Sequence, residues 1–191
     1  GSLGLPTYIH GPPTMPPKDG ITHRAVFGAM GIELSPQGGE GGVQEAADRL
    51  VDTGVAYLCL EDFCPSLWAL TEIRREIAKR PFLATLEKLI TPLRGADRTH
   101  VVSGWVHQGY EDLVTGLLRG LGMASVLLVR GREGHIDPHV HRETATWGYR
   151  SDGQEDQEVV QPKCYGTLLG HGPEEDGLTA ARMAQLWDEA L

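Results

Sequence analysis

Three short apolar runs recur along the chain: "VAYLCLED" (55–62), "THVVSGWV" (99–106) and "ASVLLVRG" (124–131). Each reads as a strand. Between and around them, apolar residues return at spacings of three and four, as helices require. Leu67, Leu70, Ile73 and Ile77 form one such series, Phe82, Leu86, Leu89 and Leu93 a second, and Leu113, Leu117 and Leu121 a third. Strands that alternate with amphipathic helices restrict the chain to an α/β fold, a mostly parallel sheet flanked by helices, with the 127–130 strand central. Two further runs, "TATWGYR" and "QEVVQP", are joined by a turn at Ser151–Gly153 and predict a C-terminal antiparallel hairpin.

The remaining segments fit around this frame. "LPTYIHG" is short and β-rich and stops at Gly11. "PPTMPPKDG" excludes helix and central strand, because its prolines remove N–H donors and fix φ. Thr22 is placed to N-cap "HRAVFGAMG", and Gly54 to close "VQEAADRLVDTG". A last helix is expected over "TAARMAQLWDEAL". There is no internal repeat.

At 191 residues the chain suits one domain, or one domain plus part of another. Its formal charge of -9 opposes whole-surface attraction to nucleic acid or anionic lipid. Three cysteines, Cys59, Cys64 and Cys164, make an odd set without paired spacing, which argues against a disulfide framework and for a reduced, cytoplasmic setting. No apolar run approaches the roughly 20 residues of a membrane span. The first residues carry neither an initiator Met nor a secretory pattern, and the chain is expected to begin partway through a larger protein.

The stretch "LLVRGREGHIDPHVHRET" (127–144) concentrates polar chemistry just past the predicted central strand. As a strand, His135 and His141 would stand ~20 Å apart, too far to share one ion. Pro138 bends the run, so two or three ligands for zinc remain one alternative and a solvated histidine loop another. A third follows from position, because ligands bind beyond the C-terminal strand ends of open α/β sheets. Mg²⁺ there needs only one or two carboxylates beside water and substrate phosphates, and Asp137 and Glu133 are suitable.

Taken in order, these landmarks resemble the anthranilate phosphoribosyltransferase family, within the nucleoside-phosphorylase-like pentosyltransferases. "GLPTYIHG" is similar to the family's Lys-His-Gly strand end, with Ile9 at the lysine position, followed by His10 and Gly11. "GVAYLCLEDFCPSL" resembles the segment ending in Phe-His-Pro, with Cys64 for His. "EIRREIAKR" resembles the Val-Arg-Arg-Glu-Leu helix, which puts the arginine for the substrate carboxylate at Arg74. "SVLLVRGREGHIDP" resembles the Gly-Glu-Asp-Gly-x-Asp-Glu segment, with Ile136 and Asp137 at the metal-binding pair. The glycine-rich Gly-Thr-Gly-Gly-Asp loop and the Asn-x-Ser-Thr helix start are absent, and Pro12 stands where asparagine follows His-Gly. "ATLEKLITPL" is closer to a paralogous branch that keeps the fold and includes dimeric, nucleic-acid-binding proteins.

The resemblance implies a phosphoribosyltransferase catalytic-domain fold, partial over 1–191 and incomplete at both ends. Helices at 66–93 would then pack on a small helical domain outside this chain. It implies Mg²⁺-dependent transfer between phosphoribosyl pyrophosphate and an acidic aromatic acceptor in the full-length parent. In that scheme His10, Gly11 and Arg74 meet substrate, Lys18 meets phosphate, and Asp137 and Glu133 orient the metal. The fragment alone is expected to be inactive. The alternative is a non-catalytic nucleic-acid-binding paralogue. Seven of the seventeen Lys and Arg fall between 71 and 98, although Glu72, Glu76 and Glu87 dilute that stripe. A homodimer through apolar helix faces is a third expectation.

Overall fold

Strand β1 (Thr7–Gly11) pairs in parallel with β2 (Val55–Cys59), in a register that sets Thr7 opposite Val55 and Gly11 opposite Cys59. The computed structural model describes residues 4–14, 21–31, 41–77, 82–131, 134–139, 142–162, 179–182 and 185. Contacts divide the chain into two compact units, residues 1–93 with 175–191, and residues 94–174.

In the first unit, α1 (His23–Ala29) begins as the sequence predicts. The Thr22 side chain accepts a hydrogen bond from the Ala25 amide at 3.3 Å, satisfying one of the helix's orphan donors. Helix α2 (Gly42–Thr53) ends at Gly54, whose φ of 76° is the left-handed cap that glycine adopts without steric cost. It lies against β2, where Ala46, Ala56 and Leu58 form a core covered by Tyr8, Val43, Leu50, Phe63 and Leu93. The chain then passes through four short helices: α3 (Leu60–Phe63), α4 (Pro65–Trp68), α5 (Thr71–Ile77) and α6 (Leu83–Glu87).

The buried side of α5 is rotated away from its apolar pattern. Ile73 and Ile77 are exposed, whereas Thr71 and Arg74, three apart, are buried. The apolar periodicity located the helix but not the side that faces inward.

The second unit is a four-stranded sheet in the order β3 (His100–Gly104), β4 (Ser125–Val129), β5 (Thr144–Tyr149), β6 (Glu155–Val160). Only β3 and β4 are parallel; β4–β5 and β5–β6 are antiparallel. The mostly parallel sheet expected from strand–helix alternation is thus seen only in part, as two small sheets, one of them mixed. Strand β4 is interior, as predicted, and the C-terminal hairpin turns at Gly153 with φ 86°. Helix α7 (Glu111–Gly120) lies against β4 and β5 through Val114, Thr115 and Leu118. Its other apolar series, Leu113, Leu117 and Leu121, faces outward. Most of the expected C-terminal helix lies outside the described residues. No helix among the described residues is long and apolar enough to cross a membrane.

Candidate functional site

Parallel pairing brings two strand ends to one edge in each unit. In the first, β1 delivers His10 and Gly11 beside Leu58 and Cys59. The Tyr57 hydroxyl donates to the Gly11 carbonyl at 3.0 Å and holds the strand end where the proline segment begins. The Thr22 hydroxyl donates to the Pro13 carbonyl at 3.3 Å and ties the same turn to the start of α1. A Cβ at Gly11 would meet only Tyr57 Oη, at an ordinary 3.7 Å, so packing does not demand glycine there.

His10 stacks edge-on against Phe63, with ring centroids 5.5 Å apart, and tilts toward Tyr8 at 6.1 Å. Burial in this aromatic setting lowers its imidazole pKa from 6.5 to about 4, so the ring is neutral near pH 7. A neutral imidazole offers one donor and one acceptor to a ligand rather than a charge. The unfolded chain protonates His10 below about pH 6.5, while the folded chain resists until about 4. Its contribution to stability is therefore complete above pH 6.5 and is lost as the pH falls toward 4. Allowing for the partial exposure of the ring, the loss is on the order of 2 kcal/mol. His10→Gln should flatten that part of a urea-midpoint profile against pH, and an unchanged slope would contradict the assignment.

Arg24, in the first turn of α1, reaches the same edge. Its Nη1 donates to Glu61 Oε1 at 3.2 Å and to Cys59 Sγ at 3.3 Å. Burial pushes the Cys59 thiol up to about 11, so it is protonated and is not a ready nucleophile. The sequence reading missed Arg24, Tyr57 and Glu61. Nothing local marks them, because their roles arise from the register of β1 on β2.

Arg74 is 4% exposed and forms a hydrogen-bonded ion pair with Glu87, itself 7% exposed, at the end of α6. This inward turn also removes Arg74 from the basic stripe. Arg75 pairs with Glu72 at 3.7 Å, and the Arg94 guanidinium donates to the Leu121 carbonyl at 2.9 Å. Lys79 and Arg80 lie outside the described residues, as does Lys18.

In the second unit, the chain leaving β4 doubles back across the C-terminal ends of β3 and β4. A Cβ on Gly104 would lie 2.0 Å from the Gly134 carbonyl oxygen, and one on Gly131 would lie 2.3 Å from that of Asp137. Only glycine permits this approach of backbone to backbone. Gly134, at φ 81°, makes the turn. Asp137 and His135 are exposed on it. The His139 amide donates to the Thr144 hydroxyl at 2.8 Å, and its ring contacts the Arg142 guanidinium at 3.0 Å. Glu133 and His141 lie outside the described residues. Among the described residues no three His, Cys, Asp or Glu converge as a zinc site would require. One exposed carboxylate at a strand end does suit Mg²⁺ held chiefly by water and a phosphorylated ligand.

No family model matches the chain. Among curated proteins, an uncharacterised protein of Aquifex aeolicus is 30% identical over 116 residues, 61% of this chain and 35% of its own length. Anthranilate phosphoribosyltransferase of Xanthomonas oryzae pv. oryzae is 27% identical over 138 residues, 72% of this chain and 37% of its own. The enzyme of the same name from Synechococcus elongatus is 26% identical over 141 residues, 74% of this chain and 38% of its own. The chain is a divergent relative of the anthranilate phosphoribosyltransferases. It spans little more than a third of the length of these curated relatives.

Solved anthranilate phosphoribosyltransferases share the fold. The Thermus thermophilus enzyme superposes with a TM-score of 0.62 at 19% identity, covering 95% of this chain and 51% of that one. The Saccharomyces cerevisiae enzyme in complex with PRPP and Mg gives 0.64 at 14% identity, covering 87% and 44%. The same yeast enzyme in complex with 4-fluoroanthranilate gives 0.63 at 15% identity, covering 98% and 57%.

Proposed function

We propose that the whole protein transfers a phosphoribosyl group between phosphoribosyl pyrophosphate and an acidic aromatic acceptor, with Mg²⁺ on the pyrophosphate. The observation that carries this reading is the turn at Gly134–Asp137. It crosses the C-terminal ends of two parallel strands, the edge where open α/β sheets bind ligands, and displays a carboxylate there.

Catalysis of this class is mostly positioning and charge neutralisation. Mg²⁺, when bound, would supply positive charge to the pyrophosphate leaving group. The bond between pyrophosphate and C1 of the ribose breaks as the acceptor's nucleophilic atom bonds to C1 and gives up its proton to water. Asp137 and Glu133 are the carboxylates assigned to hold the ion. Lys18 is the cation assigned to phosphate, and Arg74 the guanidinium assigned to the acceptor's carboxylate. Neutral His10 and the adjacent Gly11 backbone supply uncharged polar contacts to substrate.

Calorimetric titration of the whole protein with phosphoribosyl pyrophosphate, with and without Mg²⁺, tests the assignment. Mg²⁺ alone should bind weakly, because it parts reluctantly with water. Asp137→Ala should weaken the Mg²⁺-dependent part of ligand binding by roughly tenfold or more, the loss of one charge-assisted contact. Equal binding by Asp137→Ala and the parent would refute the role given to this turn.

A further inference from the structure

We propose that Glu87 is an internal competitor for the acceptor's carboxylate, holding Arg74 in a self-paired resting state. This inference rests on the reading of Arg74 as the acceptor's anchor. It adds a specificity-setting and regulatory role for a residue outside that reading.

Glu87 lies 13 positions from Arg74 and on a different helix, yet both are withdrawn from solvent and joined. A guanidinium this deeply buried needs a compensating carboxylate, and here the chain supplies its own. Bringing a substrate carboxylate onto the same cation while Glu87 stays would gather two anions around one positive charge in a poorly screened interior. Acceptor binding therefore exchanges one carboxylate for another. The ion pair gained replaces the ion pair lost, so the acceptor's charge adds little net affinity. Glu87 also competes intramolecularly, at an effective concentration set by the fold rather than by the solution.

The position of Glu87 suits an exchangeable partner. It is the last residue of α6, a helix of only five residues, and Lys88 follows immediately. A one-residue shift at such a helix end would free the carboxylate without unmaking a strand or the α2–β2 core. The displaced carboxylate would then stand at the exposed end of the helix rather than in the interior.

The test is calorimetric binding of anthranilate, and of aniline as its carboxylate-free counterpart, to the parent, Glu87→Gln, Glu87→Asp and Arg74→Gln. Glutamine keeps a hydrogen-bond acceptor for Arg74 but removes the competing charge. Glu87→Gln should bind anthranilate about tenfold or more tighter than the parent, the worth of one charge-assisted hydrogen bond, with aniline unchanged. Glu87→Asp keeps the charge on a shorter arm and should fall between the two. Circular dichroism and urea midpoints establish that each variant is folded. If Glu87→Gln is unfolded, Glu87→Asp decides, and anthranilate binding no tighter than the parent's overturns the proposal. Anthranilate binding that depends on Arg74 but not on the residue at 87 would overturn the competitor role and leave the acceptor site standing. Binding in folded variants that is indifferent to Arg74 would remove the acceptor site, and the competitor with it.

Discussion

Incubated with phosphoribosyl pyrophosphate, Mg²⁺ and anthranilate, the 191-residue chain by itself is expected to release no pyrophosphate. Pyrophosphate carries several negative charges, and a cradle for it is a row of backbone amides at a glycine-rich turn leading into a helix. The segment that follows His10 and Gly11 has the opposite character. Pro12, Pro13, Pro16 and Pro17 remove N–H donors where a cradle would need them, and Lys18 is its one cation. Arg24 reaches the same sheet edge, but its Nη1 is engaged by Glu61 and Cys59. Removing a single preorganised donor costs ~10²–10³ in rate, so the absence of the whole loop should place turnover below detection. The measurement is coupled pyrophosphate release from purified chain. Steady turnover that responds to chain concentration would show that the phosphate site lies elsewhere, with Arg24 the first residue to replace.

Truncating either partner of the buried ion pair should destabilise the first unit strongly. Arg74→Ala or Glu87→Ala leaves an uncompensated charge in a position less than a tenth exposed, and the expected cost is about 3–5 kcal/mol. Replacing both, as Arg74→Met with Glu87→Leu, removes the charges together and restores apolar volume, so the double variant should return close to the parent. The contrast separates this pair from the surface pairs. Arg119–Glu155, at 2.8 Å but with both side chains about half exposed, should cost less than about 1 kcal/mol when broken. Urea midpoints of the four proteins make the comparison. If both single variants lose less than about 1 kcal/mol, Arg74 is solvated and its helix face belongs to the surface after all.

Local signals in the sequence determined where the elements lie. Thr22 placed the start of α1 through a hydroxyl three residues from the amide it caps. Gly54 placed the end of α2 through its freedom at positive φ, and Gly153 did the same for the hairpin turn. The β-rich runs located β2, β3 and β4, and the order of motifs led to the family. Each of these effects acts within a few residues, so each is legible in a short window. Tertiary structure alone decided which faces turn inward and which charges meet. The apolar series Leu113, Leu117, Leu121 is exposed, while Arg74 is buried beside exposed Ile73 and Ile77. Arg24 finds Glu61 across 37 positions, and Arg74 finds Glu87 across 13. The turn that presents Asp137 depends on backbone contact between Gly104 and Gly134, residues from separate segments. A helical period marks two or more candidate faces. The energy that chooses among them comes from partners brought close only by folding, through desolvation and pairing that no local window contains.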